Sequence, residues 1–276
     1  MSYVTRGDGA LDYHPCRYGA SKLLFRGPRR KTDDPYVAVI GGTETYGRFV
    51  EKPYPQLVEG TCGLRLLNLG YMNAGIDVFL QDQTVIDLCA GAEATVIQLM
   101  GAQNLTNRFY AVHPRRNDRL LSVSELLKVL YRDVDFAEFN FTRHLLVELQ
   151  ERSPERFALV VSEIKAAWVA RMRQLLSATG GRKILLWIGE EAPGDGTVLN
   201  ARAPDPLFVS QDMIDTLRPL VSDVVVVVES PQARAAGTEG MVFRPEDAAA
   251  AATTTNAAVH RQVAEELALS LGRVLG

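Results

Sequence analysis

Residues 37–50 read VAVIGGTETYGRFV, and the rest of the chain is organised around this stretch. Val37, Ala38, Val39 and Ile40 form an apolar run that breaks onto Gly41 and Gly42. Two hydroxyls and a carboxylate follow, Thr43, Glu44 and Thr45, and then Gly47. An apolar run that stops at small residues reads as a buried strand entering a tight turn and a helix. In an open α/β sheet this places Thr43, Glu44 and Thr45 at the carboxyl end of the strand, where ligands bind. The segment lacks G-x-G-x-x-G and has no Gly-Lys-Ser/Thr, so it is neither a dinucleotide fingerprint nor a phosphate-cradling P-loop.

Four further segments share the apolar character of YVAVI at 36–40: LLNL at 66–69, TVIQL at 95–99, KILLWI at 183–188 and DVVVVV at 223–228. Nearly unbroken apolarity, rather than strict alternation, predicts parallel strands covered on both faces. Helical patterns lie between them. One spans 49–63, with Pro53 and Pro55 near its first turn. A second spans 76–91, with Ile76, Phe79, Leu80, Ile86 and Leu88 facing the core. The clearest spans 153–179, where Ser153 and Pro154 open the helix and Gly180 and Gly181 stop it. The last two cover 210–220 and 256–275. This alternation predicts a doubly wound α/β fold on a five-stranded parallel sheet.

One connection, residues 100–182, is too long for a simple crossover. It predicts an inserted helical cap over residues 105–182: a loop through 104–118, helices near 122–131 and 142–149, and then the long helix. Phe136, Phe139 and Phe141 are its packing residues. Residues 1–35 match no sheet element and read as an extended arm, laid across the body or across a partner. The expected organisation is the arm at 1–35 and an α/β domain at 36–276.

Composition narrows the function classes. The 276 residues are 47% hydrophobic and 23% charged, as in globular proteins. Thirty basic and 33 acidic residues leave a net charge of -3, with no general attraction to nucleic acid. Basic clusters at 26–31 and 115–119 read as solvated surface. No run approaches the roughly 20 apolar residues of a membrane span. The N-terminal residues show no basic stretch followed by an apolar run, so the cytoplasm is the expected address. Cys16, Cys62 and Cys89 are odd in number and form no C-x-x-C pair, so free thiols are expected and neither metal nor cofactor is called for.

Gly41, Gly42, Thr43, Glu44, Thr45, Tyr46 and Gly47 resemble the first block of the SGNH/GDSL hydrolase superfamily, Gly-Asp-Ser followed by x-Thr-x-Gly. LNLGYMNAGID at 67–77 is similar to the second block, and Gly101, Ala102, Gln103 and Asn104 to the third, Gly-x-Asn-Asp. The resemblance implies a flavodoxin-like sheet of the SGNH type. It puts Thr43 at the nucleophile position, Gly75 at a backbone oxyanion donor with Asn73 near it, and Asn104 at the oxyanion-hole amide. Three donors after three successive strands could converge on one developing oxyanion. The chain departs from the family at two points. Threonine replaces the nucleophilic serine and Gly42 the aspartate before it. The last block, Asp-x-x-His, has no counterpart in FRPEDAAAAATTTNAAVHRQVAEEL at 243–267. Glu246 and Asp247 remain as acids, and His260 reaches the site only if the last helix begins late. A packed histidine is the competing reading.

Other polar residues carry weaker signals. His113 opens HPRRNDR at 113–119, where Arg115, Arg116 and Arg119 could grip a carboxylate, phosphate or sulfate. Pairing of these arginines with Asp133 or Asp135 is the structural alternative. His14 could drop into the crevice from the arm, whereas His144, Trp168 and Trp187 read as packing residues.

Two functions compete. The first is an SGNH-like hydrolase or acyltransferase on an acylated small molecule or carbohydrate. It would use Thr43 as nucleophile or Glu44 as base, Gly75, Asn104 and His260 in the catalytic set, and Thr45, Asn73, His113, Arg115 and Arg116 on the substrate. The second is a catalytically degenerate member of that fold that binds a carbohydrate or anionic metabolite, with surface polysaccharide assembly as one setting. A homo-oligomer held by the N-terminal arm is a third expectation.

Overall fold

The computed structural model describes residues 11–195, 199 and 205–276, so the first ten residues of the expected arm lie outside the described residues. In chain order the elements are β1 (Tyr36–Ile40), α1 (Thr43–Tyr46), α2 (Tyr54–Cys62), β2 (Arg65–Asn68), α3 (Ile76–Leu80), α4 (Gln83–Ala90) and β3 (Ala94–Gln98). Next come β4 (Tyr110–His113), β5 (Arg116–Val123), α5 (Glu125–Leu130), α6 (Thr142–Arg152) and α7 (Pro154–Thr179). The chain finishes with β6 (Arg182–Gly189), α8 (Gln211–Leu217), β7 (Asp223–Val228), α9 (Pro231–Ala235), α10 (Ala248–Ala251) and α11 (Ala257–Leu275). Five strands make one sheet in the order β2–β1–β3–β6–β7. All its pairs are parallel. This is the doubly wound, flavodoxin-like order.

Alternation along β1 explains the two layers. Val37 and Val39 pack with Tyr54 and Val58 of α2 and with Val259, Val263 and Leu267 of α11. Ala38 and Ile40 point the other way, into a core shared with Ile76, Phe79, Val85 and the long helix residues Ile164, Trp168 and Met172. Both faces of the strand are therefore buried, which is why its sequence is apolar throughout. The Trp168 indole N–H donates to the Met100 carbonyl at 2.9 Å and ties α7 to the end of β3.

Three expectations are corrected. The single helix over 76–91 is two, because Asp82 leaves the helix to cap α4. Its Oδ1 accepts from Val85 N and its Oδ2 from the Ser21 hydroxyl of the arm. The insertion is helical only in part, since the expected loop through 104–118 and the start of the next helix form an antiparallel hairpin, β4–β5. The basic cluster at 26–31 is not all solvated. Arg26 is 6% exposed, and its guanidinium donates to the carbonyls of Tyr46, Gly47 and Glu51.

Residues 11–35 lie across the chain's own body. Tyr18, Leu23 and Phe25 are buried in the core, and the Tyr13 hydroxyl accepts from Phe49 N. Among the described residues no helix is long and apolar enough to cross a membrane.

Candidate active site

The carboxyl ends of β1 and β3 meet at Gln98, which sequence reading passed over as one polar residue in an apolar strand. Its Oε1 accepts from Gly42 N at 2.6 Å and from the Thr45 hydroxyl at 3.0 Å. Its Nε2 donates to Glu44 Oε2 at 3.0 Å and to the Leu99 carbonyl. Gln98 thus fixes the turn that follows β1. Gly41 is required there, because a Cβ would run into the Thr45 hydroxyl and the Gln98 side chain.

Thr43 opens α1 and is half-buried. Asn73 N donates to its hydroxyl at 3.0 Å, and the hydroxyl faces Asn73 Oδ1 at 3.4 Å. Asn73 holds a left-handed backbone (φ 56°), a conformation asparagine tolerates better than most residues, and its Nδ2 donates to Asp118 Oδ2 at 3.3 Å. Sequence positions 43, 73 and 118 therefore form one polar chain beyond the carboxyl end of β1. Asn104 stands behind it. Its Oδ1 accepts from the Thr142 hydroxyl at 2.9 Å, and that hydroxyl also reaches the Asp118 carbonyl. With Oδ1 so engaged, no hydrogen bond from the Asn104 Nδ2 amide is formed among the described residues.

Gly75 adjoins Asn104, as the sequence blocks implied, but its N–H is taken. Asn117 of the hairpin, fully buried, accepts from Gly75 N at 2.8 Å and from Val78 N at 3.2 Å. A backbone donor already paired inside the protein is not free for an oxyanion. The glycine serves close packing instead, since a Cβ there would be driven into the Asn104 carbonyl oxygen. Gly75→Ala is expected to destabilise the fold by about 1–3 kcal/mol and to push the Asn104 loop outward. Denaturant unfolding checks the first effect, and the Asn104 side-chain amide resonances check the second.

Thr45 does not line the crevice. It is fully buried, with its hydroxyl 2.7 Å from the Tyr54 hydroxyl and bonded to Gln98. His260 lies in the other layer. Its Nδ1 accepts from Tyr54 N at 3.0 Å, its ring stacks on Tyr54, and its Nε2 is buried without a partner. Burial, with some help from Arg26, pushes its pKa down to about 3, so the imidazole is neutral at ordinary pH. No hydrogen bond joins it to Thr43 among the described residues.

The predicted anion grip sits on the hairpin. His113 ends β4, and its Nδ1 accepts from Arg115 N. Arg115 and Arg116 are exposed. Asp133, offered as their structural partner, is held by Arg156 instead. Arg116, Arg119 and His113 all lie near Asp118 and act to lower its pKa, but burial dominates and raises it.

Carboxylates supply the remaining electrostatics. Burial raises the pKa of Glu44, and the nearby Asp205 carboxylate raises it further. Asp205 follows β6, accepts from Gln103 Nε2 at 3.1 Å and pairs with Arg143 at 3.4 Å. Gln98, Gln103, Asn117, Asp118, Thr142 and Asp205 were all missed by sequence reading. The signal for Gln98 was present, a buried amide at the end of a strand. The others sit in the insertion and the loops, where no periodicity marks them.

The model of the family described as a domain of unknown function (DUF6473) matches residues 1–275, and the chain belongs to that family. Comparison with curated proteins gives no match. Among solved structures, the crystal structure of the lipase Lip_vut3 from a goat rumen metagenome is similar at 9% identity and a TM-score of 0.42, over 86% of this chain and 97% of that one.

Proposed function

We propose that this DUF6473 chain binds a hydroxyl-rich small molecule, a carbohydrate or a derivative of one, in the crevice at the carboxyl ends of β1 and β3. It does so without serine–histidine acyl-transfer chemistry. The observation that carries this reading is the setting of Thr43. Its hydroxyl is engaged by Asn73, and the histidine nearest the family's position is sealed in the opposite layer with Nδ1 occupied. A hydroxyl is a nucleophile only when a base can take its proton. The amide and carboxyl groups at the crevice, Asn73, Asn104, Glu44 and Asp118, suit the donors and acceptors of a polyol.

Thermal unfolding and calorimetric titration with a monosaccharide panel test the proposal. Saturable stabilisation is expected, weakened at least about fivefold in affinity by Asn104→Ala through loss of one hydrogen bond. No sugar stabilising the protein would overturn it.

A second reading is favoured by Glu44. Burial and the Asp205 carboxylate raise its pKa, and it is next in sequence to Thr43. In that reading the Thr43 oxygen attacks an acyl ester carbonyl as its proton passes to the Glu44 carboxylate and Asn104 Nδ2 steadies the oxyanion; collapse then breaks the ester C–O bond, and the departing alcohol takes the proton back from Glu44. It requires turnover of an acyl-ester probe that Glu44→Gln abolishes and Asn104→Ala slows at least about tenfold.

A further inference from the structure

The segment that carries Arg29, Arg30 and Lys31 is pinned to the body of the protein. Arg30 N donates at 3.0 Å to the hydroxyl of Tyr18, which is 4% exposed. The Lys31 carbonyl accepts from Arg65 Nη1 at 2.9 Å. Against this segment opens a cavity of about 420 Å³, lined by Tyr18, Arg29, Arg30, Lys31, Thr32 and Asp33. These residues run toward the start of β1, and Arg65 is the first residue of β2, paired with Tyr36. The cavity therefore lies at the amino ends of the strands, and the crevice lies at their carboxyl ends.

The charges around the cavity do not balance. Arg30 is neutralised by Glu59 at 3.0 Å. Asp33, the one acid in the lining, is drawn to Arg65 at 3.4 Å. The Arg29 guanidinium stands over the Tyr18 ring, 5.7 Å from its centroid. Neither Arg29 nor Lys31 forms an ion pair among the described residues, and both are exposed. Two adjacent cations, one forked and one compact, thus border a single hollow without an acid of the protein's own.

We propose that this cavity is a second binding site, separate from the crevice, that takes a small ligand by a phosphoryl group. Arg29 and Lys31 are its charged donors, and the Thr32 hydroxyl is a neutral one. A guanidinium meets two phosphate oxygens side by side, and an ammonium adds a point charge. Two uncompensated cations match the near-dianionic charge of a phosphoryl group at neutral pH better than the single charge of a carboxylate. The volume is that of a small-molecule site. None of this depends on what the crevice binds.

Calorimetric titration of the full chain with inorganic pyrophosphate tests it, with acetate at equal ionic strength as the comparison. Saturable binding of pyrophosphate is expected, at least about tenfold tighter than that of acetate. Arg29→Gln and Lys31→Gln should each weaken it at least about tenfold, as loss of one charged hydrogen bond predicts. Both side chains are exposed, so the variants are expected to fold, which their denaturation midpoints check. Arg132→Gln removes an exposed arginine of the insertion, outside the cavity, and should leave the affinity unchanged. No binding of pyrophosphate, or binding that Arg29→Gln and Lys31→Gln leave intact, would overturn the site. An equal loss in Arg132→Gln would reduce it to general charge attraction and overturn it as well. Acetate binding as tightly as pyrophosphate would overturn the phosphoryl class. A short single-stranded oligonucleotide binding more tightly than pyrophosphate would overturn the small-ligand assignment in favour of a polymer's phosphate backbone.

Discussion

Acidification from pH 6.5 to 3 is expected to weaken the fold by roughly 4–5 kcal/mol through His260 alone, and His260→Phe is expected to remove that loss. The imidazole is 1% exposed, its Nδ1 accepts from Tyr54 N, and its pKa falls from 6.5 to about 3 on folding. The sign follows from proton binding. Above pH 6.5 neither state takes up the proton. Between pH 6.5 and about 3 the unfolded chain does and the folded one does not, so stability drops by a little over 1 kcal/mol per pH unit. Glu44 acts oppositely. Its raised pKa favours the fold at low pH, and that contribution is lost as pH rises above the ordinary carboxylate range. Because Glu44 is common to both proteins, the difference between wild type and His260→Phe isolates the histidine. Urea unfolding at a series of pH values measures it. Parallel curves would mean that His260 meets solvent and is available as a base, which would reopen the acyl-transfer reading.

Arg26→Leu is expected to cost roughly 3–4 kcal/mol, seen as a lower denaturation midpoint. Burial lowers the pKa of the guanidinium, whose cost of desolvation is offset by three backbone carbonyls and by the Tyr13 ring 5.3 Å away. Leucine would fill part of the volume, leave the Tyr46 carbonyl unpaired at about 1–3 kcal/mol, and leave the Gly47 carbonyl with Val50 N as its remaining donor. These carbonyls close α1, the short helix that begins at Thr43. The variant therefore also tests whether the arm holds the crevice in shape. Ligand affinity at the crevice should fall along with stability, whereas an exposed substitution such as Lys31→Leu should change neither by a measurable amount.

The five strands were legible because each is buried on both faces and so advertises itself as an apolar run. The long helix was legible for a related reason. Ser153 and Pro154 start it, glycines stop it, and Val160, Ile164, Trp168 and Met172 recur at helical spacing. The break at Asp82 was passed over although its cap is local, Oδ1 accepting from Val85 N three residues on, with the Ser21 hydroxyl 61 residues away bracing the other oxygen. The hairpin was hidden for a different reason. Its alternation is interrupted by bulges near Ala111, Val112 and His113, and Arg119 stands over the exposed Phe141 ring instead of pairing with an acid.

The site divides along the same line. Sequence order alone brought Thr43, Gly75 and Asn104 to one end of the sheet, because residues that follow successive parallel strands share an edge. Whether each could act there depended on partners remote in sequence. Asn117 takes the Gly75 N–H, Asn73 engages the Thr43 hydroxyl, Tyr54 takes His260 Nδ1, and Gln98 and Asp205 set the state of Glu44. Local periodicity encodes burial, and burial builds the sheet. Hydrogen-bond partnership between loops has no period, so only the folded chain could decide which polar groups remain free.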